Sequence, residues 1–131
     1  VKSKVVYATK YKYKTQIYFL NTVQKILWMS RIEKLQDLLK LSAEDSFLQH
    51  ALALEYIKTG EETKAQSLFE TILQREPGYV GSYYHLGKLL ERLGKQADAI
   101  NIYEKGMAEC KKINDRHAYN ELQGAYDDLT D

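Results

Sequence analysis

Residues 52–73, LALEYIKTGEETKAQSLFETIL, return 34 positions later as residues 86–107, LGKLLERLGKQADAINIYEKGM, with side-chain size and character kept at eight places. Leu52 becomes Leu86, Tyr56 Leu90, Lys58 Arg92, Gly60 Gly94, Ala65 Ala99, Phe69 Tyr103, Glu70 Glu104 and Leu73 Met107. A fixed period of this length marks an array of supersecondary units, none of which buries its apolar face alone, so that each must stack on the next. An array presents a surface and not, by default, a catalytic cleft. The pattern therefore indicates a binding module without naming its ligand.

Within one unit the spacing predicts two helices. From Ser46 to Lys58 the residues Leu48, Leu52 and Tyr56 fall four apart and share one helical face. Ser46 is expected to cap the start, and Thr59-Gly60 stops the helix. Glu61 and Glu62 then sit at the positive end of the next helix, whose buried stripe is Ala65, Leu68, Phe69, Ile72 and Leu73. Pro77-Gly78 closes that unit, and the second hairpin runs from about Tyr79 to Arg92 and from about Gln96 to Lys112, turning at Gly94.

The residues that set these sizes are Leu52, Ala53, Tyr56, Gly60, Ala65, Phe69 and Pro77 in one unit, and Tyr83, Leu86, Gly87, Leu90, Gly94, Ala99 and Tyr103 in the next. They resemble the tetratricopeptide repeat, W-x2-L-G-x2-Y, A-x3-F, P on a period of about 34 residues. Gln49 stands at the aromatic position of the first unit, which is expected to loosen one hairpin contact. Lys111 replaces the closing proline of the second, which lets that helix run on. The resemblance covers residues 30 to 131 and is closest to short, stand-alone bacterial proteins of the family. It implies an all-α solenoid of about two and a half helix-turn-helix repeats with a flanking helix at each end: a cap helix over 30–41, repeats over 46–79 and 80–113, and a capping helix over 115–129.

Charge divides the chain differently. Residues 1–28 hold Lys2, Lys4, Lys10, Lys12, Lys14 and Lys25 and no acid, a formal +6. Residues 29–131 hold thirteen of the nineteen basic residues and all eighteen acids, a formal −5. Three readings of the basic arm stand side by side. It could be a disordered or non-native extension, with Met29-Ser30 as the initiator. It could be a tether to nucleic acid or an acidic membrane, Lys neutralising phosphates and the interleaved Tyr7, Tyr11 and Tyr13 stacking, while the repeats only dimerise. Or it could be a targeting segment, although Asn21, Thr22, Gln24 and Lys25 interrupt the stretch from Ile17 to Met29, which is too short and polar to cross a bilayer. Nucleic acid is not expected as a partner unless the arm belongs to the native protein.

Chemistry-bearing motifs are sparse. His50, His85 and His117 are accompanied by no HExxH, CxxC, phosphate-binding glycine loop or GxSxG, so neither an enzyme nor a cofactor is expected. His50 and His85 fall on the first helices of consecutive units, but two imidazoles make a poor zinc site. The single cysteine, Cys110, excludes an intrachain disulfide, reads as a packing residue and suggests the cytoplasm.

In tetratricopeptide proteins the first helix of each unit lines the inner groove, and the resemblance assigns that surface here. On the first unit Phe47, His50, Leu54 and Ile57 step by three, four and three residues, a stripe distinct from the core stripe. On the second the face carries Tyr84, His85, Lys88 and Glu91, with Arg92 at its edge, and Tyr119 and Leu122 are expected to complete the wall. The expected partner is a protein or peptide segment, with Tyr84 and Phe47 as anchors and Lys88 with Arg92 holding an acidic group. A second copy of the chain, or the cap helix, is the alternative cover for Phe47, Leu54 and Ile57. His50 and Leu54 stand where the carboxylate clamp of co-chaperone domains would want Lys and Asn, so a chaperone tail is not the expected ligand. Replacing Ala65 or Ala99 by Leu should overpack the helix crossing and lower the urea midpoint by an amount equivalent to roughly 1 to 3 kcal/mol.

Overall fold

The computed structural model describes residues 2–131, with side chains described for residues 11–25, 27 and 29–131. Among the described residues there are seven helices and no strand: α1 Lys2–Trp28, α2 Arg31–Leu41, α3 Ser46–Lys58, α4 Glu62–Arg75, α5 Gly81–Arg92, α6 Gln96–Ile113 and α7 Arg116–Thr130. The chain divides into two compact units, one up to Lys34 and one of Leu35–Asp131.

In the first unit, the segment considered from sequence as a disordered arm is one helix. Residues 1–28 contain neither Pro nor Gly, so nothing interrupts the backbone ladder. Thr15 and Thr22 donate their hydroxyls to the carbonyls of Tyr11 and Tyr18 one turn back. The side chains of Lys2, Lys4, Tyr7 and Lys10, part of the proposed tether, lie outside the described residues. α2 begins with a reciprocal cap: the Ser30 hydroxyl accepts from the Glu33 N–H at 3.2 Å, and the Ser30 N–H donates to the Glu33 carboxylate at 2.7 Å.

In the second unit α3 packs on α4, α5 on α6 and α6 on α7, while α4 touches α5 and α5 touches α7. The hairpins turn alike because Gly60 and Gly94 adopt φ of 80° and 73°, a left-handed conformation that costs a glycine little. The turn lets Glu61 N–H reach the Tyr56 carbonyl at 2.8 Å and Lys95 N–H reach that of Leu90 at 2.9 Å, closing the helix ends. Asn114, φ 59°, performs the same turn between α6 and α7, with Asp115 N–H donating to the Cys110 carbonyl. With no proline at Lys111, α6 runs for 18 residues against 14 in α4.

Two local expectations are corrected. The cap of α3 is Asp45 and not Ser46: the Asp45 backbone is extended and its carboxylate accepts from Leu48 N–H at 2.9 Å. Ser46 is the first helical residue, and its hydroxyl donates to Glu76 while accepting from Arg75. Nor is the Gln49 position loose. Gln49 is buried, donates to the Ala43 carbonyl at 3.0 Å and accepts from Arg75 at 2.9 Å, so hydrogen bonds replace the aromatic contact. The equivalent Tyr83 fills its place with a ring whose hydroxyl donates to the Pro77 carbonyl at 2.9 Å.

The core is made where the helices cross. Ala53, Ala65, Phe69, Ile72, Ala99 and Tyr103 have no exposed surface. A Cβ placed on Gly87 would stand 2.1 Å from Cε1 of Tyr103, so the α5–α6 approach exists only because that side chain is absent. Gly106 is equally tight, its absent Cβ lying 2.7 Å from the Cβ of Tyr83 and 2.8 Å from Cδ1 of Leu122. The first repeat uses Ala53 and Phe69 at the places of Gly87 and Tyr103. Leu35 of α2 is buried at the Phe69 place of an incomplete unit, and Gln36 donates to the Tyr56 hydroxyl at 3.0 Å. Gly87→Ala should lower the urea midpoint by the equivalent of about 1 to 3 kcal/mol, overpacking outweighing a helix-propensity gain of about 1 kcal/mol; an unchanged or raised midpoint would contradict the crossing.

Candidate interaction groove

One face of the second unit is shared by α3, α5 and α7, and its centre is a ring cluster. His50 of α3 and His85 of α5 meet edge-on with ring centroids 5.3 Å apart. Phe69 underlies both, 5.4 Å from His50 and stacked within 11° on His85. Tyr79 and Tyr84 border the pair at 5.7 Å each. His50 Nδ1 is 2.8 Å from the hydroxyl of Ser82, which has no exposed surface. A buried hydroxyl of this kind needs a partner, and the imidazole supplies it. A recess of about 340 Å³ opens beside the cluster, lined by His50, Gly78, Tyr79, Val80 and Gly81.

Burial pushes His50 down to about 4, and the nearby His85 adds to the effect. Burial also lowers His85, against which the carboxylate of Glu121 on α7 pulls upward. Both rings are therefore neutral at pH 7. Tyr103 is raised, first by burial and then by its hydrogen bond to Glu91, so its hydroxyl remains a donor.

The other expected residues distribute unevenly. Phe47 lies on the first turn of α3 with 71% of its surface exposed, and Leu54 and Ile57 are half-buried along the same helix. Lys88 pairs with Glu91 at 3.1 Å, and Glu91 also accepts the Tyr103 hydroxyl. Arg92 reaches away to Glu62 on α4, again at 3.1 Å. The two cations expected to hold an acidic partner group are thus each neutralised within the chain.

The last helix corrects the expected wall. Leu122 is 1% exposed and belongs to the core, and Tyr119 is half-buried, donating to Gln123 beneath the ammonium of Lys111. The longer α6 shifts the register, so that Leu122 and Ala125 take the buried places of Leu86 and Leu89 at an offset of 36 residues and not 34. The face of α7 consequently carries Glu121, Gly124 and Asp128. Sequence reasoning also missed Tyr79 and Ser82, whose roles follow from the turn after Pro77 and not from any periodic signal. Among the described residues no group of three or more His, Cys, Asp or Glu side chains is placed to hold a metal ion, and no helix is long and apolar enough to cross a membrane.

Comparison with known proteins agrees with this architecture. A tetratricopeptide-repeat family model matches residues 80–111. A tetratricopeptide repeat domain protein from Salinibacter ruber is 40% identical, with a TM-score of 0.62, over 65% of this chain and 94% of that one. A TPR repeat-containing protein of Pseudomonas aeruginosa is 25% identical over 91 residues, 70% of this chain and 87% of its own. The TPR2B domain of yeast Sti1, solved in complex with pHsp70, superimposes with a TM-score of 0.71 over 89% of this chain and 94% of that domain; at 14% identity the likeness is one of fold.

Stability should fall with acid. Between pH 6.5 and about 4 the unfolded chain protonates at His50 while the folded chain does not, so the contribution is intact above the unfolded value and lost as pH falls towards the folded one. After allowance for solvent screening of a half-exposed ring this is worth roughly 1 to 2 kcal/mol. Urea melts across that range should show it, and His50→Asn should flatten the slope.

Proposed function

The chain belongs to the tetratricopeptide-repeat family, and we propose that it acts as a protein-interaction scaffold whose α3–α5–α7 face takes a polypeptide segment of a partner. Repeats of this family generally mediate protein–protein interaction. The observation that carries the reading for this face is its run of apolar and aromatic side chains, exposed Phe47 and half-buried Leu54, Ile57 and Tyr84, beside neutral, half-buried His50 and His85. Phe47, with most of its ring in water, has no folding role to explain it. An extended or helical segment laid across the face would gain from burying these groups, while Ser82, Glu91 and Tyr103 hold the imidazoles and the helix edge in place. Lys88, Glu91 and Arg92 supply a polar border rather than a free charge.

Self-association is a second reading, favoured by Leu38, Leu41 and Phe47, which expose 48, 84 and 71% of their surface. Affinity capture with the full chain and with a Phe47→Asp, Leu54→Gln variant tests both. The variant should keep its circular dichroism and lose the captured partner; recovery of the same proteins in the same yield would remove the face from consideration. Capture of the chain itself alone, with a concentration-dependent mass in the ultracentrifuge, would favour self-association.

A further inference from the structure

The charge on this face is not balanced. Glu121, Gly124 and Asp128 are spaced by three and four residues and so lie on one stripe of α7. Through the 36-residue offset they stand where α5 has His85, Lys88 and Arg92. All three are exposed, and a Cβ on Gly124 would meet nothing within 4 Å, so open space separates the two carboxylates. Glu121 is near enough to the His85 imidazole to act on it, which sets its end of the stripe at the groove, and Asp128 follows two turns on along the same stripe. Among the described residues neither carboxylate has an ion-pair partner, whereas Lys88 is matched by Glu91 and Arg92 by Glu62. Along α5 and α7 the uncompensated charge is therefore negative and lies on α7, while α3 presents Phe47, Leu54 and Ile57 beyond its capping Asp45, which acts on Tyr79.

Resting on the groove reading above, we propose that the partner segment is apolar at one end and basic at the other, its Leu-like or aromatic side chains meeting Phe47 and Leu54 and its Lys or Arg side chains meeting Glu121 and Asp128 across the gap at Gly124. The polarity of the face then also sets the direction in which the segment lies. Two turns of helix separate the carboxylates by about 10 Å, room for one cationic side chain at each. An acidic segment is disfavoured because it would meet two unpaired carboxylates and two cations that must first give up existing partners.

The probe is a random peptide library displayed on phage and selected against the full chain, with recovered peptides synthesised and titrated. The expected result is enrichment of Lys or Arg at one end and apolar residues at the other, with affinity falling about tenfold in a Glu121→Lys, Asp128→Lys variant and on raising salt. Both residues are exposed, so the variant should match the parent in its urea midpoint. Recovered peptides that are acidic, or that bind the Lys variant as well as the parent, would overturn the proposal. If such peptides still lose binding to Phe47→Asp, the groove reading survives and only its charge preference fails. If neither variant affects them, or if nothing is enriched, the groove reading falls as well.

Discussion

The close approach of α5 and α6 at Gly87 governs the architecture around it. Tyr103 lies across a position where even a methyl group would collide with its ring, and its hydroxyl reaches Glu91 on the same α5 that carries the groove residues. One contact thus sets the interhelix distance, buries a side chain as large as any in the core and holds the edge of the proposed face. Gly106 repeats the device on the other side of α6, where the rings of Tyr83 and the methyls of Leu122 close in from α5 and α7. Small residues at crossings and large ones beside them are what packed helices require, since interiors tolerate neither a gap nor an overlap of a methyl group.

The two repeats solve the same problem with different chemistry. The second places Tyr83 in the wedge between hairpin and turn, its hydroxyl satisfied by the Pro77 carbonyl. The first places Gln49 there and surrounds it with Arg75, Ser46 and Glu76, a network that only functions because nearly every member has a partner. Arg75 Nε is the exception: buried without a hydrogen bond, it lies 3.6 Å from the Glu76 carboxylate, whose charge offsets part of the desolvation. Substitution of an aromatic by a polar cluster keeps the hairpin geometry while moving its stability from dispersion to directional bonds.

The proposed face inherits its properties from this packing. Phe69, a core residue of α4, extends far enough to floor the imidazoles of His50 and His85, so the rings at the centre of the proposed face also seal the interior. Their neutrality is a consequence of that burial, and it leaves the charge of the face to residues on its rim. On α5 the rim charges cancel in pairs; on α7 they do not. The gradient from Phe47 to Asp128 is therefore produced jointly by sequence on α3 and by the register of α7.

Period and residue size were legible in the chain itself. The 34-residue recurrence, Gly60 and Gly94 at the turns, Ala65 and Ala99 at the crossings, and the absence of proline at Lys111 determined the helical-hairpin array and the long α6, because backbone conformation and side-chain volume are local properties. His50 and His85 could likewise be assigned to one face from their helical positions. Tertiary structure alone decided that the last helix sits at an offset of 36 residues and not 34, that Lys88 and Arg92 are already paired, and that Ser82 meets His50. Those outcomes depend on how far one helix rotates against another and on which charge lies nearest in space, quantities that a periodic pattern along the chain does not contain.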